Sequence, residues 1–596
     1  MKRSWRLKLV LPAVSVALLI GACATVPPRS LVAPPDDGTV DARLVRQAID
    51  LPNPGLPGSY TPAMFLYSGG SNPRRAEYAP DAVTVRTRTV DVSSFVDKFE
   101  ERYWGYGADS VPLNGRLHYP AEPGVYPVVV MVHGNHPPFW FSEVGYDYLG
   151  RHLASHGMIF ASIDQNFLNG LSDENDARAV VLLEHARMIL EWNDDPANPL
   201  FGRVDTERVA VAGHSRGGEA AVHAAVFNRF SAYPDDVTVP FSFGLPIRAV
   251  VSIAPIEGQY RPAGRRLTVP RDVDFLVLHG SHDGDVTEHF GLRFVQREPI
   301  EVPPRDVIRA GIWIYGANHA QFNTFWARGQ DPWTALRANL LTESDQQAVA
   351  LVTITATLLA AFDRQPGYRE FLADPQRGRA WLPATRYITH FSDNAATIIA
   401  DFDDDPFLET ARLEGWRIGV EGFSGARERQ MPFSTAGEVT SDRWAFSGRW
   451  DAADSEDDST ESDAATTPAI RFEAVDERHA INAERIAVDI TALSLKAAPD
   501  SDAGDTNGPL SFEMIVHYAS TRTDRYDLTQ YASIRPAPPV TLLFRNLRHH
   551  IPQTVVIPVD PDEPIVAIEL VFAADRAAEV AIDALRYYPV AEAHHE

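Results

Sequence analysis

One stretch, RVAVAGHSRGGEAAVHAA at residues 208–225, limits the possible folds more than any other part of the chain. Apolar residues that predict a strand run directly into Gly-His-Ser-Arg-Gly-Gly, and an alanine-rich helical pattern follows without a linker. So abrupt a turn strains the residue at its apex, here Ser215, and such strain is kept mainly where it serves a function. We therefore expect Ser215 to stand on a tight turn at the carboxyl end of a buried strand.

The same alternation of strand and helix surrounds this turn. Strands that are apolar on both faces and separated by helices specify a mostly parallel sheet with helices on its two faces, which is an α/β fold. The predicted strands lie at 126–134, 158–164, 208–213, 247–256, 274–280 and 307–317, and the predicted helices at 144–157, 173–195, 217–230 and 331–374.

The pattern changes towards the C-terminus. From about residue 400 the chain shows short alternating segments separated by turn residues, which predict an antiparallel, all-β sandwich domain of jelly-roll type. The resulting division of the chain is a signal peptide at 1–23, a Pro/Gly-rich tether at 24–78, a catalytic α/β domain at 79–385 and a β-sandwich domain at 386–596.

The N-terminal segment MKRSWRLKLVLPAVSVALLIGAC has a basic start and an apolar stretch too short for a comfortable membrane span. Its end resembles the lipobox of bacterial lipoproteins, in which the cysteine is lipidated and becomes the mature N-terminus. Cys23 is the only cysteine of the chain, so the resemblance implies an exported protein without disulfides, lipid-anchored in the bacterial cell envelope at the outer membrane or facing the periplasm. An ordinary secretory signal with an incidental cysteine is the alternative.

The charge balance restricts the partners. The chain has 80 acidic and 54 basic residues, for a formal net charge of −26. Phosphate binding needs a basic surface, so this balance argues against a nucleic-acid partner.

Two further motifs follow later strands in the order that a serine nucleophile requires. Acidic residues follow the strand in DFLVLHGSHDGDV, and His319 follows the next strand in YGANHAQFN. With the GHSRGG turn, these motifs resemble the α/β-hydrolase superfamily over about residues 80–375. The resemblance implies a triad of Ser215 as nucleophile, His319 as general base and acid, and Asp283 as the carboxylate, with Asp285 as the alternative carboxylate.

Within the superfamily, LASHGMIFASIDQNF and GHSRGGE are similar to dienelactone-hydrolase-like proteins, platelet-activating-factor acetylhydrolases and bacterial polyester hydrolases. Two departures qualify the likeness. Arg216 stands where cutinase-like members usually have methionine, which argues against polyester activity. The nucleophile is serine rather than cysteine, which argues against dienelactone hydrolysis.

The resemblance also implies an oxyanion hole, formed by the backbone N–H groups of Arg216 and of Asn135, which follows His133-Gly134 at the end of a strand. Aromatic residues on loops after the strands are candidates for a substrate pocket: Trp140, Phe167 and Trp326. The Arg216 side chain could bind a substrate carboxylate or brace the turn by pairing with Glu219 or Asp164, and we favour the bracing role.

These motifs predict a serine hydrolase that cleaves carboxylic esters through an acyl-enzyme and needs no cofactor or metal. The alternatives are a peptidase or amidase with the same triad and a non-catalytic binding protein of the cell envelope. The expected partner is a small-molecule or lipid-like ester. The C-terminal domain could bind calcium at the acidic turn 401–405, although a solvated turn is the simpler interpretation, or glycan through Trp416, Trp444 or Trp450.

Overall fold

The computed structural model describes residues 48–590, except residue 71 and residues 265–269, 298–304, 327–339, 364, 453–466, 497–507 and 543–544. The predicted signal peptide, its Cys23 and the first part of the predicted tether therefore lie outside the described residues.

A ten-stranded sheet forms the centre of the N-terminal half, in the order β12-β11-β10-β9-β8-β6-β7-β5-β1-β2. Strands β6 to β11 are parallel to one another, and β5 and β12 run antiparallel to their neighbours in the parallel set. The strands of this half, including the separate pair β3 and β4, are β1 (Pro62–Ser68), β2 (Val85–Arg86), β3 (Thr89–Val90), β4 (Val111–Pro112), β5 (Gly115–Pro120), β6 (Tyr126–Val132), β7 (Ile159–Ile163), β8 (Val204–His214), β9 (Ile247–Ile253), β10 (Asp274–Gly280), β11 (Ile308–Ile314) and β12 (Tyr387–Asp393).

Helices cover both faces of this sheet, because its strands are apolar on both faces. One buried cluster includes residues of α3, α4 and α5, and the other includes residues of α2, α6 and α7. The helices are α1 (Glu101–Trp104), α2 (Asp147–Ser155), α3 (Asn175–Glu191), α4 (Arg216–Phe227), α5 (Phe290–Gln296), α6 (Glu343–Asp363) and α7 (Pro366–Ala373). Among the described residues, α6 alone is long and apolar enough to cross a membrane, but its apolar stretch is 78% buried, as in a core helix.

The strand order reverses beside β6, since β7 lies on one side of it and β8 on the other. In open α/β sheets a ligand binds at such a switch point, beyond the carboxyl ends of the strands. The predicted site residues follow β6, β8, β10 and β11, and so lie at this same edge.

Two of the predicted domain boundaries are wrong. Residues 62–68, predicted as tether, form β1, which pairs with β5 inside the main sheet. Strand β12 lies beyond the predicted boundary at 385/386, yet it pairs with β11 of the same sheet. Both strands are formed by pairing with strands that are distant in the sequence. The Pro- and Gly-rich flanks of β1 and the change of sequence pattern near β12 had instead indicated domain boundaries.

The described part of the C-terminal region contains two larger antiparallel sheets that share one buried core, and a separate pair formed by β21 and β22. One has the order β15-β16-β25-β18-β23 with β13 beside β25, and the other has the order β14-β17-β24-β19-β20. This arrangement is compatible with the predicted sandwich. The strands are β13 (Thr397–Ala400), β14 (Trp416–Glu421), β15 (Gly425–Pro432), β16 (Thr440–Trp450), β17 (Ala469–Ala474), β18 (Ala483–Leu495), β19 (Phe512–Tyr518), β20 (Thr523–Asp527), β21 (Val540–Leu542), β22 (Arg545–Leu547), β23 (Gln553–Pro558), β24 (Ile565–Phe572) and β25 (Ala578–Pro589).

The C-terminal region packs directly on the N-terminal half of the chain. Phe433, Val540 and Ile551 belong to the same buried cluster as Trp313 of β11. The backbone N–H of Phe391 in β12 donates to Thr554 Oγ1 of β23 at 2.8 Å. The β10–β12 end of the main sheet is therefore covered by the C-terminal region.

Candidate active site

Ser215 stands on the strained turn that the sequence predicts. Its backbone has φ 58° and ψ −124°, a conformation that is costly for a residue with a side chain. The Ser215 N–H donates to the carbonyl of Ile253 at 2.8 Å, which ties the turn to the neighbouring strand β9.

Glycines on each side of Ser215 make this turn possible. A Cβ on Gly213 would collide with the Gly217 carbonyl oxygen. A Cβ on Gly217 would lie 2.5 Å from the His133 carbonyl oxygen, at the end of β6. The Gly-x-Ser-x-Gly pattern is therefore required by close approach of backbone to backbone.

The loop after β6 lies against the Ser215 hydroxyl. A Cβ on Gly134 would be 3.3 Å from Ser215 Oγ. The Gln165 N–H donates to His133 Nε2 at 3.1 Å, so His133 Nδ1 carries the proton that is donated to the Gly134 carbonyl at 2.8 Å. Burial lowers the pKa of His133 to about 4 and keeps the ring neutral near pH 7.

The hydrogen bond from His133 to the Gly134 carbonyl determines the direction of the Asn135 N–H group. The C=O and N–H of one trans peptide point to opposite sides. Because the Gly134 carbonyl points to His133, the Asn135 N–H points away from it. The Asn135 side chain holds the loop from its other end, since its Oδ1 accepts from the Gly170 N–H at 2.7 Å.

His319 and Asp283 form a buried pair at the same edge. His319 Nδ1 lies 2.8 Å from Asp283 Oδ2. Asp283 Oδ1 accepts from the N–H groups of Asp285 and Val286 at 3.0 and 2.6 Å. Burial raises the pKa of Asp283, and the adjacent His319 opposes that rise. The His319 ring lies 4.9 Å from the ring of His214, the residue that directly precedes Ser215.

The alternative carboxylate, Asp285, occupies a different position. Its Oδ2 lies 3.5 Å from His319 Nε2, the opposite ring nitrogen, and its side chain is 60% exposed. The geometry therefore favours Asp283 over Asp285 as the group that orients the imidazole.

Comparisons with known proteins find similar sequences among ester hydrolases. A family model described as PET hydrolase-like matches residues 71–232. Cutinase 2 of Thermobifida cellulosilytica is 31% identical over 126 residues, 21% of this chain and 44% of its own. Cutinase est2 of Thermobifida alba is 31% identical over 200 residues, 30% of this chain and 60% of its own. Chlorophyllase type 0 of Chenopodium album is 28% identical over 176 residues, 25% of this chain and 44% of its own.

Residues 71–232 are thus similar to serine esterases of the α/β-hydrolase superfamily. The matching segment includes the Ser215 turn and the loop at 133–135, which are the parts that define a serine hydrolase of this fold. The chain spans less than two thirds of the length of these curated relatives.

Two of the three predicted pocket residues lie together near His319. The Trp326 ring is parallel to the His319 ring at 6.3 Å and also contacts His136 at 3.7 Å. The Trp140 ring stacks on the other side of this group, 5.5 Å from His136. Burial and the neighbouring histidines lower the pKa of His136 to about 2, so this aromatic row is uncharged near pH 7.

Phe167, the third predicted pocket residue, lies in the core instead. Its ring packs on Phe99 and Tyr106, and the side chain is buried. A short turn after β7 directs this apolar side chain inward, a detail that the position after a strand does not reveal.

The Arg216 side chain braces the turn, as expected, but through a different partner. Arg216 Nη1 donates to Glu174 Oε1 at 2.8 Å and to the Leu171 carbonyl at 2.7 Å. Of the two expected partners, Glu219 accepts from the Asn175 side chain and Asp164 pairs with an arginine elsewhere. Arg216 is the first residue of α4, and its side chain contacts Leu171 and Glu174 in the loop before α3 rather than residues of its own helix.

A buried ion cluster next to His133 was not predicted from the sequence. Arg75 pairs with Glu143 and lies 3.0 Å from Asp164, and all three side chains are buried. In the described part of the chain, His133, Glu143 and Asp164 are the one group placed closely enough to hold a metal ion. Arg75 supplies the positive charge between the two carboxylates, so the cluster fits an internal ion network better than a metal centre.

The acidic turn of the C-terminal region is also paired with arginine. Asp401 pairs with Arg412 and Arg443, and Asp403 with Arg443 at 2.8 Å. These carboxylates are neutralised by side chains, which disfavours the calcium interpretation of residues 401–405. Of the three tryptophans considered for glycan, Trp416 and Trp450 are buried and only Trp444 is exposed.

Proposed function

We propose that this α/β-hydrolase cleaves carboxylic esters through an acyl-enzyme on Ser215. The observation that carries the proposal is the buried His319–Asp283 pair, at 2.8 Å, whose imidazole lies 4.9 Å from the ring of His214, the residue before the strained Ser215. A serine hydroxyl is a weak nucleophile near neutral pH and needs such a base.

In the proposed reaction, His319 Nε2 takes the Ser215 proton as the oxygen attacks the ester carbonyl carbon. The N–H groups of Arg216 and Asn135 donate to the oxyanion of the tetrahedral intermediate. The intermediate expels the alcohol, which takes the proton from His319, and leaves an acyl-enzyme. Water then repeats the sequence and releases the acid. Asp283 holds the imidazole in one tautomer and stabilises its charged form.

The relatives support an ester as the substrate class, because the matching names are cutinases and a PET hydrolase-like family. The aromatic row of Trp140, His136 and Trp326 supports an apolar group of the substrate next to His319. We propose small-molecule or lipid-like esters, without a preference for acyl length; the cutinase and PET hydrolase-like relatives add polymeric esters as a candidate class, against the expectation from Arg216.

The test uses the chain without residues 1–23. Hydrolysis of p-nitrophenyl acetate and butyrate should exceed that of aminoacyl p-nitroanilides, and Ser215→Ala should abolish it. The chain offers a matched control at Ser424, the serine of GFSGA, which lies in the C-terminal region directly before β15 and hydrogen-bonds the Arg449 carbonyl. Ser424→Ala should keep full activity. Anilide hydrolysis equal to ester hydrolysis would favour a peptidase, and no reaction with a fluorophosphonate probe would contradict the serine mechanism.

We further propose that the protein is exported and carries lipid on Cys23. The lipobox-like end of the N-terminal segment and the single cysteine support this location. We also propose jelly-roll connectivity for the C-terminal region, supported by two antiparallel sheets over one core.

A further inference from the structure

We infer that Ser434 and His549 of the C-terminal region are positioning residues that hold the loop carrying Asp283. The inference rests on the proposed function, because it assigns these residues to the acid of the proposed triad. Neither residue belongs to the N-terminal half, which ends with β12.

The two residues reach the loop together. Ser434 and His549 form an antiparallel bridge, flanked by hydrogen bonds from the Thr435 N–H to the Arg548 carbonyl at 2.9 Å and from the His550 N–H to the Phe433 carbonyl at 2.8 Å. This paired segment, residues 433–435 with 548–550, packs on the loop between β10 and α5.

Ser434 is connected to Asp283 by two hydrogen bonds and the short stretch of backbone, residues 286–288, that lies between them. Its Oγ donates to Glu288 Oε1 at 2.9 Å, and both side chains are buried. Two residues before Glu288, the Val286 N–H donates to Asp283 Oδ1 at 2.6 Å. The other oxygen of Asp283 contacts His319 at 2.8 Å. A shift of Glu288 would therefore be transmitted to the Asp283 carboxylate.

His549 supports the same loop one residue further on. Its ring contacts the His289 ring edge-to-face at 4.4 Å, and its Nδ1 accepts from Trp313 Nε1 of β11 at 3.2 Å. Among the described residues, neither ring nitrogen of His289 has a hydrogen-bond partner, so packing between His279 and His549 holds that ring. Burial lowers the pKa of His549 to about 3, which keeps this contact neutral at working pH.

The experiment compares two buried serines of the C-terminal region. Ser434 reaches the acid loop, whereas Ser441 Oγ donates to Gln296 Oε1 of α5 at 2.8 Å. We measure kcat and KM for p-nitrophenyl butyrate and the rate of fluorophosphonate labelling. A misplacement of about 1 Å can cost up to about 100-fold in rate. Ser434→Ala should therefore lower kcat and the labelling rate about 10-fold or more, with KM within about 2-fold of the wild-type value.

Ser441→Ala should change kcat by less than about 2-fold, and Ser434→Thr, which keeps the hydroxyl, should recover most of the activity. If Ser434→Ala does not fold, His549→Gln provides the same comparison. Equal kcat in the Ser434→Ala and Ser441→Ala variants, or in His549→Gln and the wild type, would overturn the inference while the proposed function stands. A wild-type chain that fails to react with ester and probe would instead overturn the proposed function.

Discussion

Replacement of Asp283 by asparagine should slow hydrolysis far more than the same change at Asp285. Asp283 Oδ2 is buried and 2.8 Å from His319 Nδ1, and at an effective dielectric constant of about 20 the imidazolium of the transition state gains ~6 kcal/mol from it. Asp285 Oδ2 is 3.5 Å from Nε2 on a side chain that is 60% exposed, so at a dielectric constant of about 80 its interaction is ~1 kcal/mol.

Since each ~1.4 kcal/mol corresponds to a factor of ten, we expect kcat/KM to fall about 10⁴-fold in Asp283→Asn and less than about 10-fold in Asp285→Asn. The asparagine amide also favours the wrong tautomer of His319, which acts in the same direction. The assay is p-nitrophenyl butyrate hydrolysis, with thermal unfolding to show that both variants fold. Similar losses in the two variants, or a larger loss in Asp285→Asn, would refute the assignment of the acid.

Three further predictions concern the turn, a buried acid and the N-terminus. Gly217→Ala should lower the free energy of unfolding in urea by about 1–3 kcal/mol, because its Cβ would press on the backbone of β6, whereas Gly419→Ala, which has no atom within 4 Å of its Cβ, should change it little. Burial raises the pKa of Asp583 from 3.8 to about 7. Between these two pH values the folded chain keeps a proton that the unfolded chain releases. The contribution of Asp583 to stability is therefore fully present below about pH 4 and is lost as the pH rises through about 7. Asp583→Asn should therefore unfold at higher urea than the wild type at pH 8, and the difference should vanish at pH 4. Cys23→Ala should move the protein from the membrane fraction to the soluble fraction and remove the lipid mass from its N-terminal peptide.

Short-range patterns in the sequence were sufficient to predict the centre of the fold and the principal site residues. The apolar run before Ser215 and its flanking glycines are constrained by backbone contacts within a few residues, so the turn is visible in the sequence. The order of strands then brings Asp283 and His319 to the same edge, because parallel strands all end on one side.

The pairings that the sequence did not reveal are set by long-range geometry. Strand β1 pairs with β5 about fifty residues later, and nothing in PAMFLYS distinguishes a strand of the sheet from a linker between Pro- and Gly-rich flanks. The choice of Glu174 rather than Glu219 as the partner of Arg216 depends on the path of the loop before α3, which no local pattern encodes.

The boundary between the N-terminal half and the C-terminal region is likewise set by long-range packing, which the local sequence pattern does not reveal. The change from strand-helix alternation to short strands near residue 385 suggests a linker, but β12 pairs with β11 and the core beside Trp313 continues into Phe433 and Ile551. Arg297, which directly follows α5, pairs across the boundary with Asp442 and on its own side with Glu257. Apolar burial and paired charges both cross the boundary, and they do so next to the loop that carries Asp283. The C-terminal region is thus placed to support the geometry of the proposed triad and not only to bind a partner of its own.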